Sequence, residues 1–183
     1  HAQKFFVAPA AAADISFLAR PSRVPVSTPE AIRGTAFVFD QYDNLVLAPT
    51  AVKFELAAPG AAPASRSVPA RYGIAWTRLD SGRKEGAAQF MAAVDGTSVR
   101  RVVRHVAADP CNLRMRALPA KNAILVETEP IRDCAGNPVP DGTIVTFIHT
   151  GANGRSTVDA RIKRGVARAE LPAQPGTIWV ASG

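Results

Sequence analysis

The chain has 183 residues, 47% hydrophobic and 20% charged, which is enough apolar material for a buried core and excludes a disordered polymer. No apolar run approaches the roughly eighteen residues that cross a bilayer as a helix, because Pro, Arg or Asp interrupts each one within about ten. The net charge of +7 comes mostly from Arg and favours acidic partners, while saying nothing about fold.

Residues 1–13 read as an N-terminal extension. His1-Ala2-Gln3 has the character of a processing remnant or tag residue. Lys4-Phe5-Phe6-Val7-Ala8 is a short apolar stretch of strand type. From there, short runs rich in Val, Ile, Thr and Phe are punctuated by fifteen Pro and thirteen Gly, the pattern of an all-β sandwich. Strands are expected at 15–19, 32–39, 51–56, 66–70, 74–79, 87–94 and 99–107, with a Pro- and Gly-bearing loop at 57–64. Val99, Val102, Val103 and Val106 fall at helical spacing, yet all four are β-branched, which favours a strand.

Asp109-Pro110 marks a turn and a boundary, giving a first domain over 14–109 and a second over 110–183. In the second, strands are expected at 113–117, 124–132, 143–149, 156–162, 166–171 and 177–181. Asn153-Gly154 is expected to form the two-residue hairpin turn between two of them.

Two segments about ninety residues apart match. At one constant offset Asp40 meets Asp133, Asn44 meets Asn137, Val52 meets Val145 and Phe54 meets Phe147. The shared content is a strand, a polar turn closed by Asp and Asn, and a second strand whose Val and Phe, two apart, face the core. Further on, Tyr72-Gly73-Ile74-Ala75-Trp76-Thr77 lies beside Arg164-Gly165-Val166-Ala167-Arg168-Ala169, and Met91 to Gly96 beside Ile178 to Gly183. In that alignment the second domain lacks the counterpart of 99–107.

Together these residues resemble the bacterial Ig-like domains repeated in invasin- and intimin-type surface proteins. The fit is close in the second half, through Asp133, Gly136-Asn137-Pro138-Val139-Pro140, Val145, Phe147 and Gly165-Val166-Ala167. In the first half it is weaker, since Asp43 and Leu45-Val46-Leu47 replace the Gly and the Pro-Val-Pro. The resemblance implies two tandem immunoglobulin-like β-sandwiches and a role in spacing, display or adhesion. The strand that the repeat alignment leaves missing has two readings: a continuation of the chain, or an open edge that accepts a strand from a partner, with residues 4–8 as a donor.

Cys111 and Cys134 are the only cysteines. If residues 113–117 and 124–132 form a hairpin turning near Lys121-Asn122, with 113 opposite 132, then Cys111 lies opposite Cys134 and a disulfide forms. Such a bridge implies an oxidising compartment, the alternative being two buried thiols.

Chemistry is sparse. The three His residues are His1, His105 and His149, and no nucleophile elbow, phosphate loop, His-Glu-x-x-His or EF-hand loop is present. Asp40, Asp43, Asp133 and Asp141 read as turn-closing residues before metal carboxylates. A copper site built on His1 with His105 or His149 is a remote third reading. The chain is therefore expected to be a non-catalytic, cofactor-free exported module, periplasmic, surface-bound or secreted, with a protein or cell-surface partner and no specific nucleic acid. The alternative is a module for glycans or other anionic polymers, using Arg100, Arg101 and Arg104 with Arg161, Lys163, Arg164 and the nearby Arg168. Trp76 and Trp179 are expected in the core or between domains; on an exposed face they would favour a glycan.

Overall fold

A computed structural model describes residues 2–4 and 10–182; His1 and all of the proposed donor segment except Lys4 lie outside the described residues. Among those described there are fourteen strands and no helix. The chain divides into two compact units, residues 1–106 and 107–183. The expected break at 109/110 falls three residues further on.

The first unit contains β1 (Asp14–Arg20), β2 (Arg23–Pro25), β3 (Ile32–Phe39), β4 (Thr50–Ala57), β5 (Ala64–Ala70), β6 (Ile74–Leu79), β7 (Gly86–Val94) and β8 (Thr97–Val106). One sheet has the order β1-β3-β6 and the other β2-β8-β7-β4-β5. Burial alternates along these strands because successive side chains point to opposite faces. Phe17, Phe54 and Phe90, one or two from each sheet, meet at the centre with ring centroids 5.0–6.2 Å apart. Gly34 of β3 lies beneath them: a Cβ there would stand 2.6 Å from Phe90 Cζ and 3.0 Å from Phe17 Cε2, so the absent side chain makes room for the rings. The Val-rich segment 99–106 is a strand, paired along its length with β7. β2, only three residues long, carries no periodicity to read and pairs in parallel with the end of β8.

The second unit contains β9 (Met115–Pro119), β10 (Ala123–Thr128), β11 (Ile144–Gly151), β12 (Gly154–Arg161), β13 (Arg168–Pro172) and β14 (Gly176–Ser182). Its sheets are β9-β10-β13 and β12-β11-β14, and its core holds Val126, Val145, Phe147, Ile162, Ala167 and Leu171. Val52, Phe54, Val145 and Phe147 are all fully buried, as the repeat requires.

The two units repeat one another in detail. Tyr72-Gly73 and Arg164-Gly165 both have positive φ at successive positions and close tight hairpins, Arg71 pairing with Ile74 and Lys163 with Val166. In the turn joining β11 to β12 the two central residues are Ala152 and Asn153, since Gly151 pairs with Gly154; the expected hairpin is there, one residue earlier.

Candidate functional site

The residues that define the repeat form a polar clamp at the start of each unit. Asp40 accepts the backbone N–H of Tyr42 and of Asn44, both at 2.9 Å, the Asn44 side-chain amide, and the N–H of Ala10 at 3.0 Å. Asp133 accepts the corresponding set: Ala135 N at 2.9 Å, Asn137 N at 2.8 Å, the Asn137 amide, and Ala108 N at 3.1 Å. Each carboxylate thus closes its own turn and holds the chain segment that leads into its unit. Burial raises the Asp40 pKa, but the N–H groups of Asn44, Ala10 and Tyr42 outweigh it and bring the group down to about 2. Asp133 is lowered too, the Asn137 amide and three backbone donors overcoming burial. Asp141 is likewise tied to a turn, accepting the N–H groups of Arg164 and Gly165, which lower its pKa. With their oxygens facing N–H donors, these carboxylates serve the turns.

Beside the second clamp, Cys111 and Cys134 form a disulfide with Cα atoms 5.0 Å apart. The hairpin register differs from the expectation. A two-residue loop at Lys121-Asn122 sets Ile124 opposite Pro119, and continuing that pairing puts Cys111 against Arg132, whose carbonyl accepts the Cys111 N–H at 2.9 Å. Cys134 lies two residues on, and the turn closed by Asp133 brings it back to meet Cys111.

The arginines expected to bind anions fall into separate groups. Arg100 and Arg104 point outward from β8 with Val102 between them, and Arg23 of β2 sits directly beside Arg104. Arg101 alternates to the other side, where its guanidinium donates to the Arg100 carbonyl at 3.0 Å. Arg161 and Lys163 share a depression of about 390 Å³ with Val166 and Arg168. Arg164 belongs to the adjacent hairpin, its N–H held by Asp141.

Both tryptophans stand on outer strand faces, each 63% exposed, which corrects the expectation of a core position. Trp76 lies on the outer face of β6, and Trp179 on the outer face of β14, paired with Ile148. The two histidines inside the described chain are both buried, so neither presents its ring to solvent. His105 has no partner on either ring nitrogen, and burial lowers its pKa. His1, the other ligand in the copper reading, lies outside the described residues. Among the described residues no three of His, Cys, Asp or Glu converge on a point that could hold a metal ion.

The outer face of β9-β10-β13 carries a depression of about 500 Å³ lined by Leu118 and Leu125 beside a row of charges. In that row Glu127 accepts from Arg116 at 2.6 Å and from Arg168. The hydrogen bonds from Arg168 and then Arg116 lower the Glu127 pKa, so the face balances its own charge.

No protein-family model matches the sequence, and no curated protein matches it. Solved structures do. The Escherichia coli adhesin FdeC superposes with a TM-score of 0.62 at 14% identity, over 96% of this chain and 66% of that one. InvD of Yersinia pseudotuberculosis superposes with a TM-score of 0.54 at 13% identity, over 96% of this chain and 58% of that one. This chain thus spans less than two thirds of either neighbour's length. At such identities the likeness is one of fold, and the fold is that of tandem immunoglobulin-like β-sandwiches, as in FdeC and InvD.

Proposed function

We propose that the chain is an exported, non-catalytic tandem module acting in cell-surface display, adhesion or protein–protein interaction. The observation that carries this reading is the duplicated clamp. Asp40 and Asp133 spend the same hydrogen bonds on fixing how the chain enters each sandwich, a feature suited to spacing and presenting domains. The adhesin-like fold agrees with it, although one fold hosts many roles. The disulfide supports export to an oxidising compartment.

The test is binding of the fluorescently labelled full chain to cultured cells of several types and to immobilised extracellular-matrix proteins. Saturable binding that unlabelled chain competes away is expected. A signal that never saturates on any of these surfaces would remove the adhesion reading.

A second reading has its own support: Arg100 and Arg104 share one face with Arg23, and Arg161 and Lys163 share a depression, as a module for anionic polymers requires. Salt-sensitive retention on a sulfated matrix, lost in R100Q/R104Q or in R161Q/K163Q, is the expected result. Unchanged retention of both variants would exclude those residues.

A further inference from the structure

We propose that the outer face of β1-β3-β6 in the first unit is a binding site for an acidic glycan, one bearing uronate or sulfate groups. The site uses arginines distinct from those weighed above, and Trp76 as its stacking platform.

The strand registers place this face in rows. Arg20 lies opposite Arg33, and Arg33 opposite Arg78, so three arginines stand in one line across the sheet. In the next row on the same face, Leu18, Thr35 and Trp76 lie side by side, followed by Ser16, Phe37 and Ile74. Neighbouring strands are about 4.8 Å apart and same-face rows about 6.6 Å apart, so the cationic line and the indole fall within the span of a few sugar residues.

Like charges directly across a sheet are destabilising, and nothing in the sandwich core calls for them here. Among the described residues Glu30 is the one carboxylate within ion-pair distance of the line, 3.7 Å from Arg78, and Arg20 and Arg33 have none. The second unit solves the same problem differently. Trp76 and Arg168 each stand two residues past the closing residue of equivalent hairpins. In the row of Arg168, Glu127 lies between Arg116 and Arg168 and pairs with both. One unit settles its charges internally, while the other leaves two arginines for an external anion.

Shape agrees with charge. A depression of about 440 Å³ opens at Arg20 and Arg33, and another of about 350 Å³ lies along the edge of β6 toward β5, lined by Trp76, Ile74 and Arg71 with Val68 and Pro69. A ligand that spans the arginine line and the indole must carry anionic groups for the guanidinium forks and flat apolar C–H faces for the ring, alternating over short distances. A uronate- or sulfate-bearing pyranose chain has that composition. An acidic peptide offers the charges without the ring face.

The probe is a set of short heparin oligosaccharides titrated calorimetrically into the full chain, with poly-glutamate and oligo-dT as comparison anions. R20Q/R33Q is expected to weaken heparin binding at least about tenfold, and W76S to do likewise while W76F retains most of it. All three positions tolerate change, since their side chains point to solvent, and the thermal transition of each variant checks its folding. In a W179F background Trp76 is the sole tryptophan, and its emission should shift as heparin binds. The proposal is overturned if R20Q/R33Q and W76S bind as the parent does, if heparin does not bind, or if poly-glutamate or oligo-dT binds as tightly with the same dependence on Trp76. If binding instead follows R100Q/R104Q or R161Q/K163Q, this site is refuted and the anionic-polymer reading above stands.

Discussion

Replacing both cysteines of the second unit by serine should lower the stability of that unit alone. The bridge spans 23 residues. On the chain-entropy relation, opening a loop of that size restores about 11 cal/mol/K to the unfolded chain, or about 3.4 kcal/mol at 25 °C. The folded state should lose little, because Asp133 holds the adjoining turn through its own hydrogen bonds and Cys134 is exposed, so a serine there is hydrated. A unit of this size has a net stability of roughly 4–12 kcal/mol, so the loss is a large share of it. At roughly 4–8 °C per kcal/mol, its melting temperature should fall by about 15–25 °C. Differential scanning calorimetry on the full chain supplies an internal control, since the transition of the first unit should not move. The reasoning is refuted if the C111S/C134S variant melts within about 3 °C of the parent, or if both transitions shift together.

Three further perturbations bear on the first unit. Ala13 donates to Phe39 at 2.8 Å as Cys111 does to Arg132, and Gln41 follows Asp40 as Cys134 follows Asp133. A13C/Q41C should therefore oxidise to a second disulfide worth about 3.6 kcal/mol on the same relation, whereas two free thiols on an alkylation mass shift would contradict the equivalence. Gly34→Ala, which forces a methyl to within 2.6 Å of Phe90 Cζ, should cost about 1–3 kcal/mol in urea unfolding; an unchanged midpoint would mean that the rings can move aside. His105 is lowered from its ordinary 6.5 by burial, so the unfolded chain takes up the proton first. Stability should be complete above that value and decline as the pH falls below it toward the folded pKa, ahead of the carboxylates, which act below 3.8. Urea midpoints measured between pH 7.5 and 4.5 should show this decline, and His105→Leu should flatten it; a parent midpoint constant over that range would refute it.

The architecture was legible because its signal is redundant. Alternation along β3, β4 and β6, the paired Val and Phe of β4 and β11, and the Asp–Asn turns all point to one answer, so an error in any single strand leaves the fold intact. What could not be read has no such redundancy. β2 has three residues and no period, and a parallel partner far along the chain leaves no trace in local sequence. The hairpin of the second unit was placed two residues out because its register was taken from strand ends. A two-residue loop at Lys121-Asn122 fixes it instead, and the disulfide still closes because the Asp133 turn returns the chain.

The surface was harder, and the two tryptophans show why. Trp76 aligned with Arg168 in the sequence repeat, a polar position, and could have been placed outward on that ground alone. Trp179 aligned with Ala92, which faces the core. The ladders correct the alignment by one: Phe54 pairs with Ala92 and its counterpart Phe147 pairs with Val180, so Val180 takes the inward place and Trp179 falls on the outward one. A slip of one residue turns every side chain of a strand to the other face. It leaves fold assignment untouched, because Val and Trp both suit a strand, and it reverses the functional inference, because an indole in the core and an indole in solvent do different things. The arginine rows follow the same logic. Arg20, Arg33 and Arg78 are scattered along the sequence and form no run, whereas Arg100, Arg101 and Arg104 fall close together and are split between the two faces of β8. Clustering along the chain is thus a poor guide to charge density on a sheet, where neighbours are set by strand pairing. For a β-sandwich whose function lies on a face, the register must be known before the site can be.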